Sequence, residues 1–278
     1  MYASPFIDET FDIHNCQNYT LSIQCALDGF SFSILDTIVN KFIYFSENEF
    51  NTATPFELKN ELTVLISAEP ILQQKFKKVK LSFITRETTL VPLPLFDSEE
   101  INTFFKLSFE ENRNNEMISC IHNNLFVLIS SIPKIIKAFF EDQFTNCHFY
   151  TPLSALFNSA KQQQINQKRL LVSVYQHSMF LIYQKGQETE LMNSFFVKDE
   201  IDCLYYLLNI NKQLMGDAKT EVVLMGKIKP KSELELSLKK YFEKVHFANI
   251  SNQYSLSYTF HKEPEHYHLP TLELALCE

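Results

Sequence analysis

The sequence predicts an α/β fold built from two related β-β-β-α-β halves that face each other across a cleft. Residues 19–50 read as three consecutive strands (YTLSIQCALDG, FSFSILDTIV, KFIYFSENEF), and residues 169–197 repeat that layout (RLLVSVYQH, SMFLIYQKG, ETELMNSFFV). Each triplet is followed by a helical stretch and then another apolar strand, the arrangement that a parallel crossover requires. With 278 residues and a hydrophobic fraction of 45%, the chain can fill one large domain or two intimately packed ones. The expected organisation is an arm or edge addition over 1–18, a first half over 19–162 with a small insertion around 85–121, and a second half over 168–278. Each half is expected to hold a five-stranded mixed sheet, with the same strand order in both.

The elements follow from local signals. Asp28-Gly29 marks a hairpin turn between the first two strands. Thr54-Pro55-Phe56-Glu57 combines a Thr cap, Pro at the first helical position and Glu closing a capping box, with Leu58, Leu62, Leu65 and Ile66 at helical spacing until Pro70. VKLSFIT and TTLVPLPLF read as strands, and Asp97 opens a short helix with Ile101, Phe104 and Phe105 on one face. ENRNNEM reads as a loop tip, and MISCIHNNLFVLIS as a hairpin turning at Asn123-Asn124. Pro133 starts a helix with Ile135, Ile136, Phe139 and Phe140 facing inward; the strand NCHFYT then leads to Pro152 and the helix LSALFNSAKQQQ. The polar, Gln-rich KQQQINQKR is the expected joint between halves. Beyond the second triplet, Asp199 caps a helix carrying Ile201, Leu204, Tyr205 and Leu208, ending near Gly216. TEVVLMG is a buried strand, Ser232 and Glu235 form a second capping box, and KVHFANI and LPTLELALCE close the chain.

Composition narrows the chemistry. There are 26 Phe and no Trp, and only 4 Gly, where ordinary usage gives about 20. Phe is core filler, whereas a loop that wraps phosphate spends glycine to bring N–H groups close. The six cysteines are scattered without CxxC spacing, which suits reduced, buried thiols. The N-terminus lacks the basic and apolar regions of an export signal, and no apolar run approaches a membrane span. A cytoplasmic protein is expected, with no membrane insertion. A net charge of −8 argues against nucleic acid as a partner, and the lysines of GKIKPKSELELSLKKYFEK alternate with glutamates as on a solvated helix face.

The order of elements resembles the actin-like ATPase superfamily, a duplicated RNase H-like fold, and especially its pilus-assembly (PilM) and cell-division (FtsA) branch. The resemblance runs through VKLSFITRETTLVPLPLFDSEEI and NNLFVLISSIPKIIKAFFEDQF and covers most of residues 19–278. The chain is also similar to an uncharacterised bacterial family described as having an actin-like ATPase fold. The resemblance implies ATP with Mg²⁺ in the cleft, held by an acid-x-Gly-Thr/Ser turn in the first hairpin, an acid-x-Gly turn in the second half and a Gly-Gly pair beneath the adenosine. The corresponding segments are Ala26-Leu27-Asp28-Gly29-Phe30-Ser31, Ser173-Val174-Tyr175-Gln176-His177-Ser178 and Leu224-Met225-Gly226-Lys227. In each, an element is replaced. In the first, Leu27 stands at the acid position when aligned on Gly29, or Phe30 at the glycine position when aligned on Asp28. In the second, Ser173 stands for the acid and Tyr175 for the glycine; in the third, Lys227 stands for one glycine. Mg²⁺ is held through carboxylates and water, and phosphoryl transfer depends on positioning and charge neutralisation, so these losses strike the chemistry itself.

The expectation is therefore a non-catalytic actin-like protein without a cofactor, acting as a binding or assembly component for a protein partner. The cleft is expected to be narrowed by Leu27, Phe30, Tyr175 and Met225, or these residues simply complete a core. The alternative is a divergent nucleotide-binding protein or ATPase using Asp28, Gly29, Ser31, His177, Ser178 and Gly226. His261, His266 and His268, with Glu263 and Glu265 between them, match no metal-site spacing and read as a solvated loop. Cys25 reads as core packing, and there is no GxSxG, HExxH or P-loop.

Overall fold

A computed structural model describes residues 5–161 and 167–277. The middle of the predicted joint (162–166) and the first four residues lie outside the described residues. The first half comprises β1 (Phe6–Ile7), β2 (Tyr19–Ala26), β3 (Gly29–Asp36), β4 (Lys41–Glu49), α1 (Pro55–Ala68), β5 (Lys78–Phe83), β6 (Thr88–Pro92), α2 (Ile101–Lys106), β7 (Asn115–His122), β8 (Phe126–Pro133), α3 (Lys134–Gln143), β9 (Cys147–Tyr150) and α4 (Pro152–Lys161). The second comprises β10 (Lys168–Tyr175), β11 (Ser178–Lys185), β12 (Glu188–Phe196), α5 (Glu200–Gln213), β13 (Glu221–Gly226), α6 (Glu233–Leu238), β14 (Val245–Phe247), β15 (Ser255–Leu256) and α7 (Leu269–Leu274).

The predicted duplication is present in the strand order. The first sheet runs β4-β3-β2-β5-β9 and the second β12-β11-β10-β13-β14, with the hairpin strands antiparallel and the crossover strands parallel in both. The first sheet has seven strands, not the five expected, because β1 pairs antiparallel with β4 and β15 pairs parallel with it. The described part of the N-terminal segment is thus an edge addition. Its anchor is Asp8, which forms an ion pair with Lys41 at 2.7 Å and is almost fully buried. The insertion forms its own three-stranded sheet, β6-β8-β7.

The caps behave as the sequence implies. Thr54 Oγ1 accepts from Glu57 N at 3.2 Å, while the Glu57 carboxylate reaches one residue further, to Ala53 N at 2.8 Å. Asp199 accepts from Ile201 N and Asp202 N, and Ser232 from Glu235 N. Asn123 and Asn124 both take positive φ, 52° and 54°, a conformation asparagine tolerates. In α5, Cys203, Leu207 and Ile210 are buried, Leu204 and Leu208 pack partly buried against the same core, and Ile201 and Tyr205 are exposed. The loop at ENRNNEM is also shorter than expected, because β7 already begins at Asn115.

One apolar core lies under the first sheet and another under the second, and a third joins the halves. The joining core packs Phe42 and Phe45 of β4 and Phe180 of β11 against Leu153 and Leu156 of α4 and Leu269 and Leu272 of α7. Lys80, in the middle of β5, donates to the carbonyl oxygens of Ala275 (2.7 Å) and Cys277, a cation placed at the C-terminal end of α7. Arg169, buried at the start of β10, donates to Ala160 O at the end of α4 and to the Gln184 side chain. The six cysteines are free thiols, and five are buried.

Candidate functional site

The first hairpin turn is Leu27-Asp28, one residue earlier than the sequence suggested, and Gly29 opens β3 with no positive φ. The glycine leaves room for a close approach instead. A Cβ at residue 29 would lie 2.7 Å from the hydroxyl of Tyr175, which reaches across from the end of β10. That hydroxyl stands beside the Asp28 carboxylate. Burial raises the Asp28 pKa, and hydrogen bonding to Tyr175 and the nearby His177 oppose that rise. Asp28 Oδ1 is nevertheless buried without a hydrogen-bond partner. Burial, followed by the charge of Asp28, drives the Tyr175 phenol far above its ordinary value, so it remains a neutral hydroxyl.

A second contact spans the halves beside the first. Lys227, just past β13, forms an ion pair with Glu47 of β4 at 2.5 Å and lies over the Tyr267 ring, 5.4 Å from its centroid. A single-turn helix at Glu265–Tyr267 covers the end of β13. There His266 Nε2 donates to Ile228 O at 2.8 Å, and the imidazole stacks on Phe247 with centroids 3.9 Å apart. His268 sits among the rings of Phe6, Phe45 and Phe260. The solvated loop expected for the histidines is therefore corrected: His266 and His268 are buried and only His261 is exposed. Their rings fill apolar space beneath the strap that leads into α7. Among the described residues, no group of His, Cys, Asp and Glu is arranged to hold a metal ion.

The remaining sequence-singled residues are dispersed. Ser31 is buried and hydrogen-bonds Thr271 of α7 at 2.9 Å, and Thr271 donates in turn to Gln24 at 3.0 Å. His177 lies in the β10–β11 turn with Nδ1 3.3 Å from Val197 O, and Ser178 opens β11 opposite Tyr175. Gly226 ends β13 with φ +84°, and a Cβ there would fall 2.2 Å from Val174 O. Phe30 belongs to the first core and Met225 to the joining core, and Leu27 packs against the first. Of Leu27, Phe30, Tyr175 and Met225, Tyr175 is the one whose polar end reaches the first hairpin turn.

Three features missed at the sequence level complete the site: the Glu47–Lys227 pair, the His266 cover and the Lys80 anchor. Only Lys80 carried a local signal, a lysine embedded in the apolar run KVKLSF. Where the resemblance places phosphate and magnesium, this chain sets a phenol against a turn. Where it places adenosine, it sets an ion pair and an imidazole. These residues do not fit a bound nucleotide–metal pair in the conformation described.

The duplicated sheets define a protein with an actin-like ATPase fold. The chain belongs to the family described as "Protein of unknown function (DUF3822)", whose model matches residues 8–245. No curated protein matches it. A solved Bacteroides thetaiotaomicron protein "with actin-like ATPase fold and unknown function" is 27% identical, with TM-score 0.80, 97% of this chain and 100% of that one being covered. PilM in the PilM–PilN type IV pilus biogenesis complex is similar at TM-score 0.61 and 10% identity, over 92% of this chain and 97% of that one. The ethanolamine utilization protein EutJ of Carboxydothermus hydrogenoformans is similar at TM-score 0.55 and 7% identity, over 98% and 93%. The last two likenesses concern the fold. No helix among the described residues is long and apolar enough to cross a membrane.

Proposed function

We propose that this protein is a non-catalytic, actin-like binding or assembly component that docks a partner protein and does not turn over ATP. The observation that carries the reading is the Tyr175 hydroxyl lodged against Asp28 and Gly29, in the space a phosphate group would need. Catalysis of phosphoryl transfer is almost entirely positioning and charge stabilisation, and a neutral phenol supplies neither. The acidic composition and the buried free thiols support a cytoplasmic setting.

Docking is favoured at the insertion sheet. β7 is the last strand of that sheet and β9 the last of the first sheet, and they border a groove of about 670 Å³. The Cys120 thiol reaches across it to Phe149 O at 3.1 Å, and Lys137 of α3 lies within it, paired with Glu116 of β7 at 2.9 Å and 5.8 Å from the Phe149 ring centroid. Two strand edges with unspent main-chain groups are a template for an extended segment of another protein. The PilM–PilN complex supports the use of an actin-like body to hold a partner.

Ser119 and Ile121 are exposed on β7 and line the groove. A tagged chain used as bait in its native cells is expected to retain a partner that is lost from the Ser119→Lys/Ile121→Glu variant, with thermal stability unchanged and no effect of added ATP. Retention that depends on ATP, or that is equal in the variant, would contradict the reading.

A further inference from the structure

Two cavities away from the cleft share a wall. The first, of about 430 Å³, opens where the β7–β8 turn, α4 and the strap before β15 meet, and its polar lining includes His122, Asn123, Asn124, Asn158, Lys161 and Gln253. The contact of the Lys161 ammonium with Asn123 Oδ1 separates it from a second cavity of about 480 Å³, which adds the Gln184 side chain and the Phe157 ring. The volumes lie within the roughly 300–1,000 Å³ of small-molecule sites, and such sites favour junctions between structural units.

The lining is preorganised. Asn123 and Asn124 take left-handed backbone at the turn, and the Asn123 carboxamide is engaged by Lys161. His122, next to them, is buried and bonded to Ser154 Oγ at 3.0 Å. Burial, and then the charge of Lys161, hold its pKa down to about 4, so it contributes no charge. The Lys161 ammonium lies 4.7 Å from the Phe157 ring centroid. Asn158, half-buried on α4, lines the same cavity with its carboxamide beside the Cys277 thiol.

No carboxylate of a described residue lines the first cavity. Four carboxamides present N–H₂ donors and carbonyl acceptors side by side. The Lys161 ammonium is already engaged by Asn123 Oδ1 and lies over the Phe157 ring. An oxyanion would have to compete with those contacts and would meet the other carbonyl oxygens with like partial charge; an aliphatic group would leave the other carboxamides unsatisfied. A hydroxyl donates and accepts, and so satisfies both halves of each amide. We propose that this cavity binds a neutral, hydroxyl-rich small molecule of sugar size. The site is separate from the partner-docking groove, and neither reading depends on the other.

The test is titration of the ¹⁵N-labelled protein with D-glucose, D-galactose and N-acetyl-D-glucosamine, with inorganic phosphate as the anionic control, reading the side-chain amide signals of Asn158 and Gln253. At least one sugar is expected to shift them saturably. Gln253→Ala, an exposed substitution, and Asn158→Leu are each expected to weaken that binding about fivefold, the share of one or two hydrogen bonds. Three results would overturn the proposal: no saturable shift with any sugar up to about 100 mM, beyond the range of specific affinity; shifts with phosphate and not with sugar; or an affinity unchanged in both variants.

Discussion

Gly226→Ala is expected to destabilise the protein by about 3 kcal/mol or more, enough to remove much of a typical folding free energy. The residue has φ +84°, where a side chain is strained, and its Cβ would sit 2.2 Å from Val174 O and 3.1 Å from Val174 C and N. The obstacle is backbone and cannot rotate away. Val174 and Gly226 are partners in the parallel β10–β13 register, and Lys227 N donates to that same Val174 oxygen at 3.1 Å. The glycine that survives from the adenosine motif is thus explained by strand packing alone. Gly29→Ala is the contrasting case, because its Cβ meets the movable end of a side chain at 2.7 Å before any backbone atom. Its cost should be smaller, and Tyr175→Phe should relieve part of it. A Gly226→Ala melting temperature equal to that of the unsubstituted protein would refute this account.

Acidification gives the second large effect. Burial, then the charges of Lys227 and His266, hold the His268 pKa down to about 3, and burial with Lys161 holds His122 down to about 4, against an ordinary 6.5. Both are therefore neutral in the fold and bind protons only on unfolding. Their contribution is complete above the unfolded value of 6.5 and is lost progressively as pH falls toward the folded values. Each unit in that window costs about 1.4 kcal/mol per histidine, or about 4 kcal/mol for the two together by pH 5. Glu263 Oε2, 3.4 Å from His268 Nε2, is mostly exposed and offers a screened partner to the protonated ring. Urea midpoints measured from pH 8 to pH 5 should fall below 6.5, and His268→Phe should flatten the fall. Midpoints constant across that range would show that the imidazoles are not sequestered as described.

The duplicated fold was legible because its signals are local. Alternating strands, a Pro at the first helical turn, and Asp and Ser caps fix element type within a few residues, and the repeat supplies the strand order. Signals that failed were those that depend on distant partners. EIDCLYYLLNI is apolar nearly all round, so periodicity did not single out its buried face of Cys203, Leu207 and Ile210. β1 and β15 are two residues each, too short for any pattern, and exist because β4 offers an edge. The His266 and His268 segment looks polar in sequence, yet its rings are covered by Phe247 and by Phe6, Phe45 and Phe260, from elements far along the chain. In the candidate site, the loss of the motif was readable at Ser173, Tyr175 and Lys227. That Tyr175 would turn toward Asp28, and Lys227 toward Glu47, was not, because both contacts join opposite halves.

The closing of the cleft by Tyr175 and the Glu47–Lys227 pair is the central claim, and calorimetric titration of the purified protein with ATP and Mg²⁺ tests it most directly. The account predicts no saturable heat, because binding would have to displace a buried phenol and break an ion pair before any phosphate contact forms. Saturable binding that is abolished by Asp28→Ala would contradict it, and would make this chain a divergent nucleotide-binding member of the actin-like fold.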